Sequence, residues 1–210
     1  MAAPRQFKPA DYGYDVEELG NGNGQLFKPV SIEWSLPRTW DVGMRAPIDD
    51  EYLEPGYLYA ITRNHHSAKT RDTIVYVGIT SNLDARFKNH PKAREFADMR
   101  GPTGLSIGKI DFHGYKSAMG KNNRAALEGL EHILIWAIGP TLYNDRKQLS
   151  LPKFRPPVAQ SWHITNTGYR FAGRMPREII YPWMLIKPGR DRSVKKRLYK
   201  KFTGFPIDEL

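Results

Sequence analysis

Cysteine is missing altogether from the 210 residues, which excludes disulfides, thiolate nucleophiles, iron-sulfur clusters and every zinc site with a sulfur ligand. Any metal must then be held by oxygen or imidazole. Long apolar runs are missing too: no window approaches the roughly 18 to 20 residues of a membrane-spanning helix. The opening MAAPRQFKPADYGYD has no apolar stretch of the kind a secretory signal carries. The expectation is a cytoplasmic protein with no membrane partner. Acidic residues are scarce in the last third. Residues 146–210 hold 15 Lys plus Arg against 4 Asp plus Glu, whereas residues 1–55 hold 5 against 10. A basic excess gathered in one part of a globular chain is the footprint of a phosphate-backbone binder, and also of a merely soluble surface.

At 40% apolar and 12% aromatic the chain can bury a core, and 16 Pro and 18 Gly break it with long connections. Residues 1–55, with NGNG at 21–24 and scattered prolines, show little periodicity and read as an irregular extension. Regular signals start at Gly56. YLYAIT at 57–62 and TIVYVGIT at 73–80 are β-rich runs whose simplest joining is an antiparallel hairpin, with Tyr59 and Tyr76 on neighbouring strands. Ser81 or Asn82 can cap a helix running through Leu83, Arg86 and Phe87 toward His90, where Pro91 interrupts it. Arg86 and His90, four apart, would share its face. A third strand is read at 105–112. Asn122 or Asn123 caps the best helix, NRAALEGLEHILIWAI, which Gly139 and Pro140 stop. Beyond Asn144 lie proline-rich links, a strand or two around 162–171, the apolar run YPWMLI and a basic helix near the C-terminus.

Glu131 stands out on the helical wheel. At about 100° per residue, Leu127, Leu130, Leu134 and Ile138 form an apolar stripe, and Glu131 projects in or beside it while Glu128 lies nearer its edge. A carboxylate there is costly unless it is ion-paired, protonated or bound to a cation. Other polar groups carry less. His65-His66 is a loop dipeptide whose rings diverge, His113 and His163 have no spaced partners, and NGNG lacks the strand and helix of a phosphate loop.

In order along the chain come Tyr57-Leu58-Tyr59, Tyr76-Val77-Gly78, GITSNLDARFKNH with Thr80, Leu83, Arg86 and His90, LEHILIWAIGP with Glu131, and TLYN with Asn144. This ordered set resembles the GIY-YIG nuclease superfamily, with Tyr57 in place of the first signature's leading Gly and Leu58 and Val77 in place of its middle Ile residues. The resemblance covers about residues 56–146. It implies an α/β (α+β) fold, a small three-stranded antiparallel sheet flanked by helices, here with extensions at 1–55 and 147–210.

It further implies a Mg²⁺-dependent endonuclease, with Mn²⁺ as a substitute ion, acting on DNA. Its size is similar to that of stand-alone restriction or other DNA-processing members. The site residues carried over are Tyr59, Tyr76, Arg86, His90, Glu131 and Asn144, with Glu131 as the metal ligand. Tyr59 would act as general base with His90 accepting its proton. Tyr76 would order the water or phosphate, Arg86 would fork onto phosphate oxygens, and Asn144 would orient the site. The nucleic acid would be tracked by Lys88 and Lys92 and by Lys195, Lys196, Arg197, Lys200 and Lys201 of the basic helix. Cutting both strands implies a homodimer. A catalytically silent binding module of the same fold and an RNA-directed nuclease are the alternatives.

Overall fold

The computed structural model describes residues 28–46, 56–64, 71–112, 123–139, 142–150, 162–172, 175–181 and 184–189. Lys195, Lys196, Arg197, Lys200 and Lys201, expected on a basic helix, and the NGNG segment lie outside them. The described strands are β1 (Lys28–Trp34), β2 (Arg38–Trp40), β3 (Tyr57–Arg63), β4 (Thr73–Thr80), β5 (Thr103–Asp111), β6 (Trp162–Gly168), β7 (Glu178–Tyr181) and β8 (Leu185–Lys187). The described helices are α1 (Leu83–Lys88), α2 (Pro91–Asp98) and α3 (Asn123–Ile138). The strands make one sheet in the order β4-β3-β5-β1-β6-β7-β8, with β2 also paired to β5. It is mixed, because β1 and β6 run parallel while the other pairs are antiparallel.

This overturns the expected fold. The antiparallel trio β4-β3-β5 is one end of an eight-stranded curled sheet, a half-barrel, and not a small sheet by itself. Nor is the N-terminal segment wholly irregular: β1 lies between β5 and β6 in the interior of the sheet. The physical reason lies in α3. Its second half, ILIWAI at 133–138, is buried all round, and a helix apolar on every side must be covered from every side. Val30, Ile32, Ile164 and Ile179 from β1, β6 and β7 share the core that holds Leu130, Ile133, Leu134 and Ile138. Each such side chain contributes roughly 2 kcal/mol on burial.

Two cores occupy opposite faces of β3 and β4. Leu58, Ala60, Val77 and Ile79 face α3, whereas Tyr59, Ile61 and Val75 face Leu83 and Phe87 of α1 and Phe96 of α2. A register shift between Ile61 and Thr62 leaves Val75 without an opposite residue. Val75 and Tyr76 consequently both turn toward the α1 and α2 face, as a bulge allows. Trp40 of β2 packs edge-on against Phe87 at 5.2 Å, and the Ala46 N–H donates to Asp84 Oδ1 at 3.2 Å. The segment before β3 thereby braces the helix that carries Arg86.

Candidate active site

Tyr59 is fully buried in β3, opposite Gly78 of β4. Its ring lies across that glycine: a Cβ at position 78 would come within 2.5 Å of the Tyr59 hydroxyl and 2.9 Å of the Tyr76 ring. Only glycine leaves room for the phenol there, which gives the final position of Tyr76-Val77-Gly78 a steric cause. The Tyr59 and Tyr76 rings stack at 6.2 Å and 20°.

The helix expected from Leu83 toward His90 ends sooner, and a second helix follows it at Pro91. Asn82 caps α1, its side chain accepting from the Ala85 N–H, and α1 stops at Lys88. His90 is the N-cap of α2, with Pro91 at the first helical position, where its missing N–H costs nothing. Pro91 therefore starts a helix as well as ending the previous segment.

That capping fixes a tautomer. His90 Nδ1 accepts the Ala93 N–H at 3.2 Å, so a neutral ring carries its proton on Nε2, which donates to Tyr59 Oη at 2.9 Å. The ring is buried. Burial, with the Arg86 charge adding to it, lowers its pKa to about 4. His90 is thus a donor to Tyr59 in this state, which reverses the proton-accepting role expected of it. Arg86 Nε donates to the same oxygen at 3.3 Å. Burial raises the Tyr59 phenol well above its ordinary value, and the Arg86 bond offsets part of that rise. Burial raises Tyr76 as well. For Arg86 itself burial works against the charge, and the two phenols outweigh it and raise its pKa.

A cleft of about 390 Å³ opens at the end of β4, lined by Ile79, Thr80, Ser81, Arg86, Arg124, Glu128, Glu131 and Lys147. β4 is the edge strand of the sheet. The cleft passes that edge and so collects Arg86 from the helices on one face and Glu131 from α3 on the other. The charge of Glu131 raises both phenols. Its side chain is 13% exposed and bonded to Lys147, whereas Glu128 is 52% exposed and pairs with Arg124 at 2.8 Å. Among the described residues no cluster of three or more acidic or imidazole groups occurs.

Asn144 is buried and turned onto the outer edge of β4. Its Oδ1 accepts from the Val77 N–H at 3.2 Å and its Nδ2 donates to the Val77 carbonyl at 2.8 Å. Its amide completes the hydrogen bonding of the edge strand and anchors the turn that follows. Lys92 pairs with Glu95 at 3.2 Å and Asp145 at 3.6 Å. Lys88 is exposed at the end of α1. Neither lines the cleft. Lys147 and Arg124 do, and sequence reasoning missed both. Arg124 had a signal, because it lies four residues before Glu128. Lys147, in a polar run after Asn144, had none.

The buried neutral imidazole makes stability depend on pH. Above pH 6.5 His90 is neutral in both states, and its contribution is whole. As pH falls toward 4 the unfolded chain takes up the proton and the folded chain does not, so stability drops by on the order of 3 kcal/mol. His90→Asn keeps an N-cap acceptor and removes the titration. Urea unfolding at pH 7 and at pH 4.5 should show a smaller loss for the variant than for the wild type; equal losses would assign the acid sensitivity to other groups.

No family model, curated protein or solved structure matches this chain.

Proposed function

We propose that the chain is a metal-dependent endonuclease that hydrolyses phosphodiester bonds, with DNA as its substrate. One observation carries the reading: a phenol gripped by a guanidinium and an imidazole sits beside a cleft whose other wall presents a half-buried carboxylate.

The donor set fits a hard divalent cation. Glu131 offers one carboxylate in an open polar cleft that has room for waters, and Mg²⁺ is ordinarily held by one or two carboxylates with water and phosphate oxygens completing its shell. When bound, the ion neutralises charge on the scissile phosphate and stabilises the leaving oxygen. Mn²⁺, equally an oxygen-seeking ion, would substitute.

The remaining work belongs to the protein. Tyr59 acts as the base, taking a proton from the attacking water once its own proton has left to solvent; burial opposes the phenolate form, so the rate should rise toward alkaline pH. Two N–H donors converge on Oη and favour that form against the cost of burial. Arg86 places a permanent planar cation at the cleft, where its terminal nitrogens can meet two phosphate oxygens. Tyr76 stacks on Tyr59 and would order the attacking water or phosphate. His90 holds Tyr59 from behind, and its low pKa keeps it neutral through the physiological range. Severing both strands of a duplex would call for two copies of the chain. The basic segment after residue 187 is proposed to hold the phosphate backbone.

The test is incubation of the purified chain with supercoiled plasmid, linear duplex and structured RNA, with Mg²⁺ and with EDTA. Nicked and linear plasmid is expected with Mg²⁺, and intact plasmid with EDTA. Cutting that survives EDTA would remove the metal from the reading, cutting of RNA alone would change the substrate, and no cutting of any substrate would end the nuclease reading.

A further inference from the structure

The residue facing Glu131 extends that reading and rests on it. Lys147 comes three residues after Asn144, and its ammonium is bonded to the Glu131 carboxylate inside the cleft. Its backbone is left-handed, with φ at +70°, a conformation that a non-glycine residue keeps only where its surroundings impose it.

The surroundings do impose it. The Tyr143 N–H donates to the Val75 carbonyl at 2.7 Å, and the Asn144 amide is clamped to Val77. Gln148 Nε2 donates to the carbonyls of Leu142 and Asn144, each at 2.7 Å. His132 Nε2, one residue along α3 from Glu131, donates to the Ser150 carbonyl at 2.6 Å. Both ends of the turn are therefore tied to the elements that form the cleft, β4 and α3. A lysine held this way is placed against the carboxylate and is not a loose surface cation.

Charge across the cleft points the same way. Arg86, Arg124 and Lys147 face Glu128 and Glu131, an excess of one positive charge. Such a lining attracts a dication only weakly until phosphate oxygens join the carboxylate, and Lys147 is the cation in contact with the proposed ligand.

We propose that Lys147 is an internal competitor for Glu131: its ammonium holds the carboxylate in place, and a divalent ion binds only by displacing it. Lys147 thereby weakens metal binding to the protein alone.

The test is titration of the full chain with Mn²⁺ in the absence of nucleic acid, with free ion read by electron paramagnetic resonance. Wild type, Lys147→Gln, Lys147→Asn and Glu131→Gln are compared, with a circular dichroism melt of each. Lys147→Asn guards against misfolding, since asparagine accepts a left-handed backbone readily. Both Lys147 variants should bind Mn²⁺ about tenfold more tightly than wild type, and Glu131→Gln should bind it most weakly. Equal affinity in wild type and the Lys147 variants, with Glu131→Gln still weaker, would overturn the competition and leave Glu131 as the ligand. Absence of Mn²⁺ binding in every variant would overturn both the competition and the metal reading.

Discussion

Glu131→Gln should give a folded protein that binds DNA and does not cut it. The amide is the same size but brings no charge to a cation. Losing the several kcal/mol that a bound metal supplies to a charged transition state lowers the rate by roughly a thousandfold or more. Binding should hold or improve, because the cleft loses a negative charge next to Lys147. Folding should be little affected, since the amide can still accept a hydrogen bond from the ammonium. The comparison is Glu128→Gln. That side chain is half-exposed and its pair with Arg124 is a surface contact, worth about 0 to 1 kcal/mol. Single-turnover cleavage and a gel-shift titration on the same two variants separate cutting from holding. If Glu128→Gln were the inactive one, the cation would belong one helical turn earlier on α3.

The second large effect is expected at Arg86. Arg86→Lys keeps the charge but removes the Nε–H that reaches Tyr59 Oη and the fork that would meet two phosphate oxygens. One ammonium cannot do both tasks. The rate should fall about a hundredfold or more, on the scale of removing a single positioned donor from a developing oxyanion. The melting temperature should stay near wild type, because the hydrophobic contacts of α1 run through Leu83 and Phe87. The pH profile gives a second readout. With Arg86 gone Tyr59 loses its strongest offset to burial, so the alkaline rise in rate should move to higher pH. A turnover close to wild type would remove Arg86 from the chemistry and leave it a brace for the Tyr59 phenol.

Local pattern carried the sequence reading a long way. β-rich composition placed β3 and β4 and their simplest joining paired them, and the Asn82 cap and the apolar spacing placed α1 and α3. Leu127, Leu130, Leu134 and Ile138 are buried as the wheel arranged them. The resemblance grouped Tyr59, Arg86 and His90, and they meet because β3, β4, α1 and the cap of α2 follow one another along the chain. The wheel set Glu131 on the apolar stripe and Glu128 nearer its edge, the resemblance then selected Glu131, and the less exposed carboxylate is Glu131.

Distance along the chain hid the rest. Val30, Ile32 and Trp34 alternate as a strand does, yet β1 is paired to β6 through residues about 130 apart, beginning with Lys28 opposite Trp162, and nothing local records such a pairing. The roles of His90 and Asn144 turned on hydrogen bonds to the Ala93 N–H and to the Val77 backbone. A side chain's type states what it can donate or accept, and only the fold decides which partner is within reach. Lys147 is the clearest case. In the sequence it is one basic residue in NDRKQ, and its place against Glu131 depends on a turn tied at once to β4 and α3. Secondary structure was legible because its energies are local, whereas the bond from His90 to Tyr59 and the cation on Glu131 were settled by contacts that exist only in the folded chain.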